Sequence, residues 1–99
     1  MEYANGKEII LGDIIEISMP EGMEVARVVM LGESYERLEL EKSFEEWVLK
    51  DSILDNDSIV VEWVGRNPLE HNDPNYAPVG NYMFTGIGDD ITLKHRAKA

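Results

Sequence analysis

Two histidines and a scatter of carboxylates are the residues of this chain whose types suit proton transfer or metal binding. A histidine beside an Asp or Glu can act as a general base, provided the two lie within hydrogen-bond reach. His71 falls in a stretch rich in proline and asparagine and His95 near the C-terminus, and no spacing, that of His71 with Asp73 included, singles out a catalytic pair. Both read as surface histidines. Asp51, Asp55, Asp57 and Glu62 loosely follow the intervals of a calcium loop. Counted from Asp51, however, Asn56 stands where an EF-hand needs glycine, and Ile53 stands where an oxygen ligand belongs. Asp89-Asp90 reads more simply as a turn. No Gly-rich phosphate loop, His-Glu-x-x-His helix or Gly-x-Ser-x-Gly elbow is present. The absence of cysteine removes disulfides, thiolate catalysis, zinc ribbons and iron–sulfur ligation together, and fits a reducing compartment. The expectation is a non-enzyme without metal or cofactor. An enzyme of this size would need a pocket assembled across chains, because a short chain supports one modest core and little else.

Charge points toward association. The 99 residues carry 20 acidic and 9 basic side chains, a net of −11. Residues 33–57 hold nine of the acids (Glu33, Glu36, Glu39, Glu41, Glu45, Glu46, Asp51, Asp55, Asp57) against Arg37, Lys42 and Lys50, a local net of −6. A field of that sign repels nucleic acid and anionic lipid and steers basic proteins inward. It also aids solubility. An aromatic platform for nucleic acid needs basic surroundings, and the surroundings here are neutral or acidic. Nucleic acid and membrane are therefore not expected partners. Tyr76 and Tyr82, in and beside the proline-rich stretch, are candidates for exposed contact residues, since tyrosine often anchors interfaces.

The elements that must carry these residues are short. Asn5-Gly6 and Gly12-Asp13 are turn dipeptides flanking a strand over 7–11, and 14–18 forms a second strand rich in β-branched residues. Pro20-Glu21-Gly22 reverses the chain. Residues 23–31 make a longer strand in which Arg27 interrupts a clean alternation, and its length suggests a bend or a bulge. A further strand is expected over 35–40. From Ser43 the period changes: Ser43 with Glu46 matches a capping box, and Phe44, Trp47 and Val48 follow at helical spacing, which predicts one short helix over 44–50. Phe44 and Trp47 should dock it on the sheet, whereas Trp63 could face either way. Residues 58–64 are the strongest strand pattern and are expected near the middle of a sheet. Residues 65–80 hold three prolines and read as a long loop of the kind that often binds. Residues 81–87 and 91–94 return to strand around a hairpin turn at Gly88-Asp89-Asp90.

The prediction is a mainly β fold, a small antiparallel barrel or sandwich of six or seven short strands with one short α-helix. One domain spans 1–94, followed by a basic tail, 95–99. The segment 1–12 lacks the features of a signal peptide, and no stretch approaches a membrane span, so the cytoplasm is the expected compartment.

Gly12-Asp13 leading into Ile14-Ile15-Glu16-Ile17, then a tight turn and a valine-rich strand, resembles the start of SH3-like small barrels. The layout also resembles the small immunity proteins of bacterial polymorphic toxin systems, including contact-dependent growth inhibition. That likeness rests on Asn5-Gly6-Lys7-Glu8-Ile9, Gly12-Asp13-Ile14, the acidic middle around Glu45-Glu46-Trp47, and Ile59 to Val61. It implies an inhibitor that binds a cognate toxin, often a basic nuclease, and covers its active site. The expected contact residues are Glu33, Glu36, Glu39, Glu45, Glu46, Asp55 and Asp57, with Tyr76 as a loop anchor. The alternative is an SH3-like adaptor or subunit that docks a protein partner, its acidity serving solubility. Oligomeric state is open at this level.

Overall fold

The computed structural model describes residues 1–20, 22–64 and 82–96. Five strands and one helix follow in the order β1 (Ile14–Met19), β2 (Gly22–Leu31), α1 (Lys42–Asp51), β3 (Ser58–Trp63), β4 (Tyr82–Gly86) and β5 (Ile91–His95). All strands pair antiparallel in one sheet of order β4-β3-β2-β1-β5. The mainly β class holds, but the described residues contain five strands rather than six or seven.

The two missing strands have identifiable causes. The segment 7–11 forms only a single bridge, Glu2↔Glu8, because the chain doubles back tightly at Asn5-Gly6, with Gly6 at φ +86°. The segment 35–40 forms one bridge, Met30↔Arg37, because Tyr35 takes a left-handed φ of +60° that breaks any regular ladder. In compensation, the Tyr35 hydroxyl donates to Leu54 O at 3.0 Å and accepts the Leu54 N–H at 3.1 Å, fastening this loop to the chain before β3.

Alternation sorts the strand residues between two faces. Ile15, Ile17, Ala26, Val28, Ile59, Val61, Trp63, Met83 and Ile91 fill an inner core together with Tyr3 and Ile9. Trp63, ambiguous in sequence, points inward. Val29, Met30, Val60, Tyr82, Phe44 and Val48 build a second core between the opposite face and the helix. The bend expected in the long strand is a β-bulge. Val28 pairs with Val61 but Met30 pairs with Val60, which leaves Val29 as the extra residue. Val29 and Met30 consequently both lie in the outer core and widen the apolar platform on which α1 sits.

Helix α1 starts two residues earlier than predicted, and this undoes the capping box. Glu41 occupies the N-cap without a side-chain bond to the free amides of the first turn, and Ser43, now inside that turn, donates its hydroxyl to Glu41 Oε1 at 3.2 Å. Phe44 and Val48, one turn apart, are the buried pair. Ser52 closes the helix at φ +48°, its N–H reaching Val48 O.

The turn at Gly88-Asp89-Asp90 is real, with Ile91 N–H bonded to Gly88 O at 3.2 Å, but it makes no hairpin. It joins the two opposite edges of the sheet. Four residues, 87–90, carry the chain from β4 to β5. Extended chain covers at most about 18 Å in that step, whereas the outer strands of a flat five-stranded sheet stand about 19 Å apart. The sheet is therefore curled, and Met83 of one edge shares the inner core with Ile91 of the other. No ladder joins β4 to β5, so the curl stays open. β3, expected near the middle, lies one place from an edge, and β2 is central. Among the described residues no helix is long and apolar enough to cross a membrane.

Candidate functional site

The N-terminal segment borders two openings of the described surface. Tyr3 N–H bonds to Lys7 O and Ile9 N–H to Met1 O, both at 2.8 Å, which folds residues 1–9 into a miniature hairpin. Tyr3 and Ile9 point into the inner core, while Glu2, Glu8 and Ile10 face outward.

A buried carboxylate holds this segment down. Asp13, only 1% exposed, is the one buried charged residue among those described. Its Oδ2 accepts the Tyr3 hydroxyl at 2.6 Å and the Ile10 N–H at 3.0 Å. Its Oδ1 has no hydrogen-bond donor among the described residues, and the Arg96 guanidinium approaches it at 3.9 Å. Arg96 also donates to Glu8 O at 2.6 Å, so the C-terminal end of β5 and the N-terminal segment close over the same charge. Burial, and then the hydrogen bond to Asp13, push the Tyr3 phenol well above the ordinary tyrosine range, and the phenol stays a donor. His95 and Arg96, placed in the basic tail by the sequence, lie in and directly after β5, while 97–99 lie outside the described residues.

Two openings flank the segment. A groove of about 240 Å³ is lined by Glu8, Ile9, Ile10, Leu11, Leu31 and Glu36. Ile10 stands 44% exposed there. A larger open cleft of about 540 Å³ lies between Met1, Glu2, Ala4, Glu33, Asn56, Asp57 and Ile87. Across it the Met1 ammonium pairs with Glu33 Oε2 at 3.0 Å, which raises the affinity of the amine for its proton.

Of the predicted contact residues, Glu33 and Asp57 share the larger cleft and Glu36 lines the groove. Glu39 is exposed in the loop before α1, and Glu46 is exposed on the helix. Glu45, also on α1, is engaged by Arg37. Asp55 is exposed in the turn before β3, where its N–H bonds to Ser58 Oγ at 2.9 Å. The seven described residues thus do not converge on one cavity, and Tyr76 lies outside the described residues, as do His71 and the loop over 65–80. Tyr82, expected as an exposed contact, is a correction. It is 7% exposed, stacks on Phe44 with ring centroids 4.2 Å apart, and accepts the Glu41 N–H on its hydroxyl at 3.0 Å. Position at the start of β4, directly beneath the helix, is what buries it.

Glu2, Glu8 and Ile10 were missed by sequence reasoning. The pattern that finds them is the Asn5-Gly6 turn, which folds Glu2 against Glu8 and so adds their charges to those of Glu33 and Glu36. The calcium-like series disperses: Asp51 ends α1, and Glu62 on β3 pairs with Arg27 of β2 at 3.0 Å. Comparison with protein-family models, curated proteins and solved structures finds no match to this chain.

Proposed function

We propose that this chain is a cytoplasmic immunity protein that binds a cognate bacterial toxin, a basic nuclease, and neutralises it by covering the toxin's active site with carboxylates. The observation that carries the reading is the net charge of −11 together with its placement: Glu2, Glu8, Glu33, Glu36 and Asp57 stand around two neighbouring openings. A nuclease must present positive charge to phosphate, so a carboxylate-rich surface competes for the same cleft and associates fast. In this reading the protein is no enzyme, and the curled sheet is a small SH3-like barrel left open between β4 and β5. Support for that shape comes from the four-residue step between the sheet edges and from the core they share.

The test is co-expression of this chain with the C-terminal domain encoded by the adjacent upstream gene, followed by growth and co-purification. Rescue of growth with a stable complex is the expected result. Toxicity without rescue sinks the proposal.

The exposed Ile10 in its groove favours a second reading, an SH3-like adaptor that docks an apolar peptide. Salt separates the two. Association driven by the acidic surface slows as ionic strength rises, whereas apolar docking changes little.

A further inference from the structure

We infer that the groove between Glu8 and Glu36 is a docking site for a basic segment of a protein partner, one that inserts an apolar side chain between flanking lysines or arginines. The inference rests on the proposed function only in taking the partner to be a basic protein.

The groove is lined by the apolar side chains of Ile9, Ile10, Leu11 and Leu31 together with the carboxylates of Glu8 and Glu36. Its volume of about 240 Å³ leaves room for one bulky apolar side chain. Loosely held water against such an apolar lining is favourably displaced by an apolar group. The two carboxylates then fix the chemistry of what flanks that group, since Glu8 and Glu36 accept from cations and repel acids.

Ile10 is held outward by construction. Its neighbour Ile9 is 2% exposed and anchors in the inner core, its own N–H is bonded to buried Asp13, and Glu8 O is bonded to Arg96. The opposite wall is fixed as well, because Leu31 N–H bonds to Glu36 O at 2.9 Å. A large aliphatic side chain that could have turned inward is therefore displayed between two fixed walls, with little left to order on binding. Asp13 acts here as a positioning residue: its charge is buried to shape the groove wall.

The experiment uses the full chain and a fluorescein-labelled peptide, Gly-Lys-Arg-Leu-Arg-Lys-Gly, read by anisotropy. Companion peptides carry serine for the leucine, or glutamates for the bases. The leucine peptide is expected to bind about tenfold tighter than the serine peptide, the scale of one buried aliphatic side chain, and Ile10→Ser should abolish that advantage with an unchanged Tm. Glu8→Gln with Glu36→Gln should weaken binding about fivefold, the scale of two exposed ion pairs. Asp51→Asn with Asp89→Asn removes the same charge elsewhere and should leave binding within about twofold. Equal loss in both double variants, or equal binding of the leucine and serine peptides, overturns the inference and leaves only attraction to a −11 surface. Ile10-dependent self-association in sedimentation overturns it too, by giving the groove to a second copy. Insensitivity to the groove variants with growth rescue intact sinks the groove alone. Failed rescue with groove-dependent peptide binding sinks the immunity reading alone.

Discussion

The two cores of this molecule solve the same burial problem with different residues. The inner core is largely aliphatic and β-branched, with Ile15, Ile17, Val28, Ile59, Val61 and Ile91 drawn from four strands and Met83 from the fifth. Such side chains interlock on pleated surfaces that face one another across a curl. The outer core adds a stack of rings to the aliphatic Val29, Val48, Leu54 and Val60 and to Met30: Phe44 lies over Tyr82 at 4.2 Å and beside Phe84 at 5.7 Å, with Trp47 at the edge. Flat rings fill the uneven gap between a helix and a sheet, and their stacking adds about 0.5–1.5 kcal/mol per pair beyond burial. The inner core ties every strand together, so it sets global stability. The outer core ties one helix to β2, β3 and β4, so it sets how firmly the acidic helix is held.

The largest expected effects test that division directly. Phe44→Ala should cost about 3–5 kcal/mol and Ile59→Ala about 2–5 kcal/mol, yet the two should differ in kind. In native-state hydrogen exchange, Phe44→Ala should strip protection from α1 while β1 and β2 keep theirs, and Ile59→Ala should lower protection throughout. Uniform loss in both variants would show the cores to be one cooperative unit.

Next in size is the buried polar group at the margin of the inner core. Tyr3→Phe leaves Asp13 with one donor fewer, at a cost of about 1–3 kcal/mol by urea denaturation. The same hydroxyl sets a pH dependence. Tyr3 holds its proton more tightly in the folded chain than the unfolded reference of about 10, so its contribution is complete below that pH. Stability should fall as the pH rises past it, because the unfolded chain loses the phenol proton first. Comparing urea midpoints at pH 8 and pH 11 for the native chain and Tyr3→Phe isolates this effect, and the variant should show the smaller alkaline loss.

Smallest is the exposed ion pair on the helix side. Arg37 and Glu45 have side chains 35% and 28% exposed, and Glu45→Gln should cost under about 1 kcal/mol. A larger loss would mean that this pair, rather than the aromatic stack, orients α1.

Much of this architecture is legible in local pattern. The strands at 14–19, 22–31, 58–63, 82–86 and 91–95 are read to within one residue at each end from short apolar runs between turn residues, and the bend in the second of them from its length. The helix is read from Phe44 and Val48 one turn apart, a pairing that survives the failure of the capping box, since burial rather than the cap decides where it lies. The surface is legible only in half. Glu33, Glu36 and Asp57 are found from the charge excess of their segment, but the carboxylates that join them, Glu2 and Glu8, lie outside that segment and arrive by folding.

What the amino-acid order alone determined is whatever depends on neighbours in the chain: the periods of two and 3.6, the turn at Asn5-Gly6, and the net charge. Tertiary structure decided which strands became edges, why a four-residue turn spans them instead of closing a hairpin, and that Tyr82 turns under a helix rather than toward a partner. It also decided that Asp13, unremarkable within its turn, becomes the charge on which the N-terminal segment rests. Local propensity acts over a few residues. The fate of a buried carboxylate or an exposed isoleucine depends on atoms brought from distant parts of the chain, and those meet only when the sheet curls.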